Sequence, residues 1–294
     1  MAAVEHSTKS EKLFSVVNIA VLAILTVIFF YPMWHCLMAS ISDPESLIGY
    51  NGLLTIPMGF SLKGYSAVLN NSNIAVGYAN TLFYVGVGTL LNMILTILGA
   101  YALSRRNLMF KIPLTLLIVF TMYFDFGLIP AFLNIRDLGL YDSRLSIVLP
   151  VAVNTFNLIV ARTAFASVPA SLEEAAMIDG ANDFVILWRV VLPACKATLA
   201  VVVLFYLVEH WNSWFPASIY LRDRGRFPLQ LFLREILLAS STGAGDGNSI
   251  DGVMYLEEVI KYSTIIISTV PILCVYPFAQ KHFVSGIMLG SIKE

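Results

Sequence analysis

Polar and ionisable side chains embedded in long apolar stretches are the residues of this chain whose types and spacing could do chemistry. Such groups are costly inside a bilayer unless they pair with another segment or line a wet cavity. Asp125 follows two aromatic residues in one apolar stretch, and both uses are open to it. Glu209 and Asn212 are about one helical turn apart in another stretch, so both can face a common groove. The candidate pathway residues are Asp125, Glu209, His210, Trp211, Asn212 and Trp214.

The composition indicates what kind of molecule must position these residues. The chain has 294 residues, of which 58% are hydrophobic and 13% charged, and its mean hydropathy is +0.78. Such values predict an integral membrane protein. The net charge of −1 offers no basic surface, so we expect no nucleic-acid partner. The three cysteines have neither paired spacing nor a histidine cluster beside them, which predicts no disulfide framework and no metal site.

Six apolar segments are long enough, or nearly so, to cross a bilayer. They are 14–38, 80–103, 112–133, 145–163, 196–221 and 261–280. Residues 1–13 are then a cytoplasmic N-terminal segment, and 14–294 form a single transmembrane domain with a long outer loop at 222–260. The short Ser104–Lys111 connection carries three basic residues, which places it in the cytoplasm by the positive-inside rule. Both termini are therefore predicted to be cytoplasmic.

A polar segment, 164–195, lies on the cytoplasmic side of this arrangement. Pro169 ends the preceding helix, and Ser171 followed three residues later by Glu174 predicts a capping box at the start of a short helix. Ala175 and Ala176 keep its surface smooth, and Gly180 is placed to end it.

A second helix follows directly in the same segment. Asn182 or Asp183 can cap it, and Pro193 marks the bend into the next span. Asp179, in the last turn of the first helix, faces the negative end of the helix dipole, so a basic group on a partner would offset its cost. The alternative is an amphipathic hairpin on the membrane surface.

The spacing of this segment resembles the EAA loop of permease subunits in ATP-binding-cassette (ABC) importers. The matching residues are Glu174-Ala175-Ala176, Gly180 after three residues, and Val190-x-Leu192-Pro193 after nine more, with Val190 where isoleucine is usual. The resemblance implies an all-α, type I importer permease fold with six transmembrane helices and a cytoplasmic coupling helix that docks in a groove of an ATPase subunit. The implied coupling residues are Glu174, Ala175, Ala176, Asp179, Gly180, Leu192 and Pro193.

Within these importers, the continuation Met177-Ile178-Asp179-Gly180-Ala181 resembles the carbohydrate branch. Four other stretches agree with it: Gly127–Pro130, Leu138–Leu140, Trp211–Pro216 and Phe283–Gly286. The stretch Phe227–Leu237 is similar to a subgroup associated with oligosaccharides, including pectin-type and alginate fragments. The specific hypothesis is the second permease of a bacterial alginate importer.

The resemblance also implies what surrounds the chain. The partners would be a second permease subunit, an ATPase dimer, an external solute-binding protein, membrane lipid and an oligosaccharide substrate, in the inner membrane of a bacterium. The chain has no G-x-x-x-x-G-K-[ST] loop, so we expect no enzyme activity and no cofactor of its own. ATP and Mg²⁺ would bind to the ATPase.

Residues 209–214 combine aromatic faces with amide and carboxyl groups, the mixture that sugar sites use. The tryptophans could equally belong to the aromatic belt at the membrane interface. If the cargo is acidic, Asp125 and Glu209 would repel its carboxylates, and His210 becomes the better contact.

The outer loop predicts a docking surface for the binding protein. Its basic residues are Arg222, Arg224, Arg226 and Arg234, and the alternative is a solvated loop without a partner. The mobile tract Gly243–Gly247 could probe the cleft of the binding protein.

Three rival functions stay open on the sequence. In an ion-coupled secondary transporter, Asp125, Glu209 and His210 would form a proton relay. The chain could also be an ABC permease for a solute other than a sugar, or a membrane scaffold or receptor that transports nothing.

Overall fold

Helices make up every regular element in the part of the chain that the structure, a computed structural model, describes. That part comprises residues 9–47, 50, 52–124, 126–242, 258–274 and 277. The chain divides into two compact units, one of Met1–Asn70 with Ile236–Ile267 and one of Asn71–Glu235 with Ser268–Glu294. Asp125, the tract Gly243–Gly247 and the stretch Phe283–Gly286 lie outside the described residues.

The first unit is dominated by a long apolar helix, α1, Lys9–Ser40. At 1.5 Å per residue its 32 residues extend about 48 Å, enough to cross a bilayer. None of its most apolar window is buried within the chain. Two short helices follow, α2 (Pro44–Leu47) and α3 (Lys63–Leu69). A small core joins the end of α1 and α2 to the helical residues 258–267, with members Met38, Ala39, Leu47, Leu54 and Val259.

The second unit is built around α4, Ser72–Ser104. Asn71 caps α4 by accepting a hydrogen bond from the Asn73 N–H at 3.0 Å. The 33 residues of α4 extend about 50 Å. Two of its neighbours, α8 (Thr155–Ala166) and α12 (Lys196–Trp211), pack along it. The site described below is positioned by these three helices.

The three spans predicted at 112–133, 145–163 and 196–221 are each divided in the structure. The first consists of α5, Lys111–Tyr123, and α6, Leu128–Asp137. The second consists of α7, Leu145–Val148, a stretch without helix, and α8. The third consists of α12 and α13, Trp214–Tyr220.

Proline explains these divisions. Pro150 has no N–H to continue α7 and clashes with the preceding turn, and Asn154 then caps α8 through the Asn157 N–H at 3.2 Å. Pro130 and Pro216 lie in the first turns of α6 and α13, where proline is tolerated because those N–H groups have no partner within the helix. Each of these three predicted spans therefore consists of two helical pieces instead of one helix.

The polar segment between α8 and α12 contains α9, Ala170–Ile178, and α10, Asp183–Ile186. A π-helical turn, Leu187–Val191, and α11, Leu192–Ala194, continue α10. The chain then bends by 86° into α12 at Cys195, directly after the predicted bend at Pro193.

The first half of the predicted outer loop, 222–260, is mostly helical. A 3₁₀ turn, Arg224–Arg226, precedes α14, Leu229–Thr242. The last described helix, α15, covers 258–274. By length and composition, two helices in the described residues, α1 and α4, could each cross a membrane, or up to four spans if two bent pairs count as one each. The six-span arrangement and its orientation stay predictions.

Candidate functional site

The N-terminus of α9 differs from the predicted capping box. The helix begins at Ala170, with Pro169 in the N-cap position and no side-chain cap. Ser171 is therefore already inside the first turn and cannot act as the N-cap. The capping role predicted for Ser171 and Glu174 is wrong, because the helix begins earlier than the box requires. Glu174 is left exposed with no capping function.

The C-terminus of α9 follows the prediction. Gly180 has φ +80°, a left-handed conformation that glycine adopts without a steric penalty. The Ala181 N–H donates to the Ala176 carbonyl at 2.9 Å, and the Gly180 N–H donates to the Met177 carbonyl at 3.0 Å. These two bonds form a Schellman motif. Gly180 therefore ends α9 as predicted, and the backbone leaves the helix in one fixed direction.

Of the two residues predicted to cap α10, the structure selects Asn182. Its side-chain oxygen accepts a hydrogen bond from the Val185 N–H at 2.9 Å. Asp179 forms the C-cap of α9 and is exposed. Its carboxylate makes no ion pair or hydrogen bond with any residue in the described ranges. Asp179 is thus free to face a partner.

One face of α9 is presented to its surroundings. No residue of this helix is buried, and Ile178 is 86% exposed. Ser171, Glu174, Ala175 and Ile178 follow one another at helical spacing on that face. Met177, at the adjacent position, is also exposed, so two adjacent apolar side chains lie in the open beside Glu174 and Asp179. The implied coupling residues Leu192 and Pro193 lie farther along, in α11.

An ion pair that the sequence interpretation missed joins α9 to the end of α4. Arg105 Nη1 donates to Glu173 Oε2, and both side chains are mostly buried, at 21% and 17% exposed. Arg105 also lies over the Tyr101 ring, 4.3 Å from its centroid. Lys111 closes the loop by donating to the carbonyl of Arg105 at 3.0 Å. In the sequence, the basic residues of the Ser104–Lys111 connection indicated such a pair, because a cluster of positive charges needs an acidic partner.

A cavity of about 650 Å³ lies beside this ion pair. Its walls come from the end of α4, the end of α8 and one side of α9. It is lined by Tyr101, Ala102, Ser104, Arg105, Arg106, Asn107, Leu108, Phe165, Ala166, Val168, Ala170, Glu173, Glu174, Met177 and Asp183. The cavity therefore separates α9 from the body of the unit except where Glu173 and its apolar neighbours make contact.

A second group of polar side chains lies deep between α4, α8 and α12. We call it the polar centre and define it as Asn92, Thr96, Val151, Asn154, Tyr206 and His210. Asn92 donates to the Val151 carbonyl at 2.5 Å and its oxygen contacts His210 Nε2 at 2.9 Å.

The hydroxyl of Tyr206 completes this group. It contacts Thr96 Oγ1 at 2.7 Å and accepts a hydrogen bond from the Asn154 N–H at 3.1 Å. Buried polar groups are thus paired with one another across three helices.

His210 is buried between helices, so it is not placed to contact a solute directly. It is 1% exposed and packs against Gly88, where a Cβ atom would lie 2.4 Å from Nε2. Only a glycine in α4 leaves room for this ring. His210 therefore holds α4 against α12 in this structure.

The other predicted pathway residues lie on different faces of α12 or just beyond its end. Trp211 is buried and lies 6.4 Å from the Tyr78 ring. Glu209 is half-buried and faces the side chain of Asn154. Asn212 is exposed and donates to the Val208 carbonyl at 2.9 Å. Trp214, half-buried, begins α13. Of this set, Glu209 and Asn212 retain an accessible polar group.

The four arginines predicted to dock a binding protein are each engaged within the chain. Arg224 pairs with Glu235 at 2.6 Å, and Arg226 lies 3.5 Å from Asp142. The guanidinium of Arg234 lies 3.7 Å above the centre of the Trp214 ring. The remaining guanidinium, that of Arg222, lies 5.6 Å from the Tyr141 ring centroid. Their predicted docking role stays a prediction.

Asp142 organises this end of the unit. It has φ +54°, and its Oδ1 accepts hydrogen bonds from the backbone N–H groups of Arg222 at 2.9 Å and Asp223 at 3.0 Å. The Asp142 N–H in turn donates to the Tyr220 carbonyl at 2.8 Å. The N–H groups of Asp223 and Arg222 stabilise the carboxylate and lower the pKa of Asp142.

Comparisons with known proteins give close relatives over almost the whole chain, although no family model matches it. The chain is 40% identical over 283 residues to a polygalacturonan/rhamnogalacturonan transport system permease protein, YtcP, of Bacillus subtilis, covering 96% of this chain and 99% of the relative. It is 35% identical to the protein LplC of the same organism, covering 98% and 97%.

A solved structure is similar in both sequence and fold. It is a crystal structure of a bacterial ABC transporter involved in the import of the acidic polysaccharide alginate. The TM-score is 0.86 and the identity 34%, over 95% of this chain and 100% of that chain. The expected resemblance to sugar importers is confirmed by these comparisons.

Proposed function

The chain belongs to the permease subunits of sugar ABC transporters, and from this premise we propose that it carries an acidic oligosaccharide across a bacterial inner membrane. Polygalacturonan and alginate are both polymers of uronic acids. Two relatives of this kind, at 40% and 34% identity over almost the full chain, support an oligomer of uronic acids as the substrate. The comparisons give no support to a secondary transporter or to a scaffold.

The observation that carries the proposed mechanism is the exposed face of α9. We propose that Glu174, Ala175, Asp179 and Ile178 dock into a groove of an ATPase subunit, which binds ATP and Mg²⁺. The two alanines allow close approach, and the two carboxylates can meet basic side chains. Pro193 and the 86° bend at Cys195 then connect this segment to α12. Movement of α9 would therefore be transmitted to α12, which carries Glu209 and has Asn212 as its C-cap.

In this proposal the transport cycle is alternating access. ATP binding closes the ATPase dimer, α9 moves with it, and the helices rearrange so that the pathway opens toward the binding protein. A second permease subunit completes the pathway. The Ser104–Lys111 connection and α9 lie on the cytoplasmic side, both termini are cytoplasmic, and Arg222, Arg224, Arg226 and Arg234 face the binding protein outside.

The proposal is tested by a reconstituted complex of the two permeases and the ATPase in lipid vesicles. ATP hydrolysis is measured after addition of the binding protein with neutral or uronic-acid oligosaccharides. We expect uronic-acid oligomers to stimulate hydrolysis and to be imported. Stimulation by neutral sugars alone would exclude the acidic substrate, and import that depends on an ion gradient and not on ATP would exclude the ABC mechanism.

A charge reversal tests the docking surface separately. Asp179→Lys should reduce binding-protein-stimulated ATP hydrolysis more than tenfold, because a partner's basic group would then meet a like charge. The matched control is Asp137→Lys, since Asp137 is also exposed and pairs only with its neighbour Arg136 in the described residues. Equal activity of the two variants would exclude Asp179 from the docking surface.

A further inference from the structure

The stretch between α7 and α8, residues 149–154, leaves backbone groups without partners inside a predicted membrane span. Pro150 stops α7, and only one turn bond, from the Ala152 N–H to the Leu149 carbonyl, lies within the stretch. Asn92 and Tyr206 satisfy the Val151 carbonyl and the Asn154 N–H.

Three carbonyl oxygens of this stretch are left over. Those of Pro150, Ala152 and Val153 accept no hydrogen bond from any residue that the structure describes. Val153 and Pro150 are exposed and Ala152 is half-buried, so this part of the stretch lies at a surface of the described chain.

The depth of this stretch follows from its contacts with α4. Gly88 is the midpoint of α4, and Asn92 and Thr96 lie four and eight residues beyond it, about 6 and 12 Å along the axis. Asn92 contacts the stretch directly, and Thr96 contacts it through Tyr206. The unpaired carbonyls therefore lie beside α4, near the middle of its length, and α4 is long enough to cross the bilayer. Unpaired backbone at that depth is tolerated where it lines a water-filled cavity or is buried in protein.

The side chains around the stretch have the composition of a sugar site. Phe156 is 50% exposed and Phe205 40% exposed, and their ring centroids lie 6.2 Å apart. Glu209 lies one turn beyond Phe205 on the same face of α12 and faces Asn154. Two aromatic faces, an amide and a carboxylate thus lie at the end of the stretch that carries the unpaired carbonyl oxygens. Aromatic rings pack against the apolar face of a sugar, and polar groups bind its hydroxyls.

We propose that residues 150–154, with Phe156, Phe205 and Glu209, form a binding site for the hydroxyl edge of a sugar ring in transit. This inference rests on the proposed function and assigns part of its pathway. Carbonyl oxygens and the Glu209 carboxylate only accept hydrogen bonds, so they bind O–H groups and repel carboxylates. A uronic-acid residue would therefore enter with its hydroxyls toward this stretch and its carboxylate directed away from it.

The site is tested by cysteine accessibility in the reconstituted complex. Cys36, Cys195 and Cys274 are replaced by serine, and Val153→Cys is introduced. The probes are an impermeant cationic methanethiosulfonate and an oligogalacturonate delivered by the binding protein. The control is Leu22→Cys, which lies on the exposed apolar surface of α1. We expect Cys at position 153 to be labelled, labelling to fall at least fivefold with the oligogalacturonate, and the control to stay unlabelled.

Two results would overturn the proposal. One is no labelling at position 153, as expected if lipid or protein covers the stretch. The other is labelling that the oligogalacturonate does not reduce. Because binding-protein-stimulated ATP hydrolysis is recorded in the same vesicles, failure of this site is distinguishable from failure of the importer function, which would abolish that stimulation.

Substitutions of the two rings provide a second measurement. Phe156→Ala and Phe205→Ala should each raise the KM of oligogalacturonate import about five- to twentyfold. Phe29→Ala is the matched control, since Phe29 is 73% exposed on α1. Unchanged import in both ring variants would contradict the aromatic part of the site.

Discussion

The segment around α9 and the polar centre are both attached to α4, but by opposite means. At the end of α4, α9 is joined through a single ion pair in the described residues, between Arg105 and Glu173, and none of its own residues is buried. Near the middle of α4, Asn92 and Thr96 are fully buried, and their hydrogen bonds reach α12 and the stretch that precedes α8.

The difference separates two tasks that a permease must combine. A surface that docks on a moving partner has to remain exposed, so it can keep few internal contacts. A helix interrupted within the membrane has to keep its freed backbone groups satisfied or wet, so it needs buried partners. In the proposed function, the end of α4 therefore carries the docking segment, and its middle holds the helices that line the proposed pathway.

The largest expected effect is on the polar centre. Asn92→Leu removes the partner of the Val151 carbonyl and of His210 Nε2 at once. Each of the two buried polar groups left unsatisfied costs about 1–3 kcal/mol, so the variant should lose about 2–6 kcal/mol of stability. Thermal unfolding of the purified complex in detergent measures this loss.

An asparagine with the opposite environment provides the control for this variant. Asn134 is exposed on α6, so Asn134→Leu should change stability by less than about 0.5 kcal/mol. If the two variants unfolded at the same temperature, the buried hydrogen bonds of Asn92 would not be what holds the divided helix to α4.

A smaller effect is expected at the end of α4. Glu173→Lys places a third positive charge beside Arg105 and Lys111, and it removes a partly buried pair worth about 1–2 kcal/mol. Folding should survive, because α9 has few other buried contacts. The amount of sugar imported per ATP hydrolysed should fall several-fold, since α9 is no longer tied to α4.

Exchanging the charges at positions 105 and 173 distinguishes the loss of this ion pair from a general effect of charge. The double variant Arg105→Glu with Glu173→Arg should recover at least half of the lost coupling. Asp137→Lys, which breaks an exposed pair with Arg136, should change nothing measurable. Failure of the double variant to recover any import would mean that the pair itself does not transmit motion.

How much the sequence could predict differs between the same two regions. The end of α9 obeys local rules, so Gly180 was correctly assigned from a few neighbouring residues, and Asn182 was one of the two caps predicted for α10. The start of α9 did not obey them, because Ala170 extended the helix past the proposed cap at Ser171. Glu173 was missed because its partner lies 68 residues away.

The polar centre was beyond local reasoning for the same physical cause. Pro150 was visible in the sequence as a helix breaker, but the hydropathy of 145–163 favoured one continuous span. The partners that make the break tolerable are far away in sequence: Asn92 is 59 residues from Val151, and Tyr206 is 52 residues from Asn154. Only the packing of α4 and α12 brings them together.

Two glycines in left-handed conformations separate the cost of backbone strain from an effect on coupling. Gly180 and Gly139 have φ +80° and +70°, and an added Cβ would meet no described atom within 4 Å at either site. Alanine at each position should therefore cost the same, about 1–2 kcal/mol, through backbone strain alone. Gly180→Ala should also lower stimulated ATP hydrolysis, because it redirects the chain after α9, while Gly139→Ala should not. Equal hydrolysis in the two variants would contradict a coupling role for the Gly180 turn.

The smallest effect is expected at Asp142, where backbone groups rather than buried side chains hold the contact. The N–H groups of Asp223 and Arg222 lower the pKa of Asp142 in the folded state. A lowered carboxyl pKa contributes stability above the unfolded value near 3.9, and that stability is lost as the pH falls through the folded pKa. Asp142→Asn keeps the left-handed backbone at φ +54° but loses the charge. At pH 7 it should therefore be slightly less stable than wild type, and the difference should vanish below the folded pKa. Thermal unfolding over a series of pH values descending from pH 7 checks this, and a difference that does not shrink as the pH falls below the unfolded value would show that geometry, not charge, determines the contact.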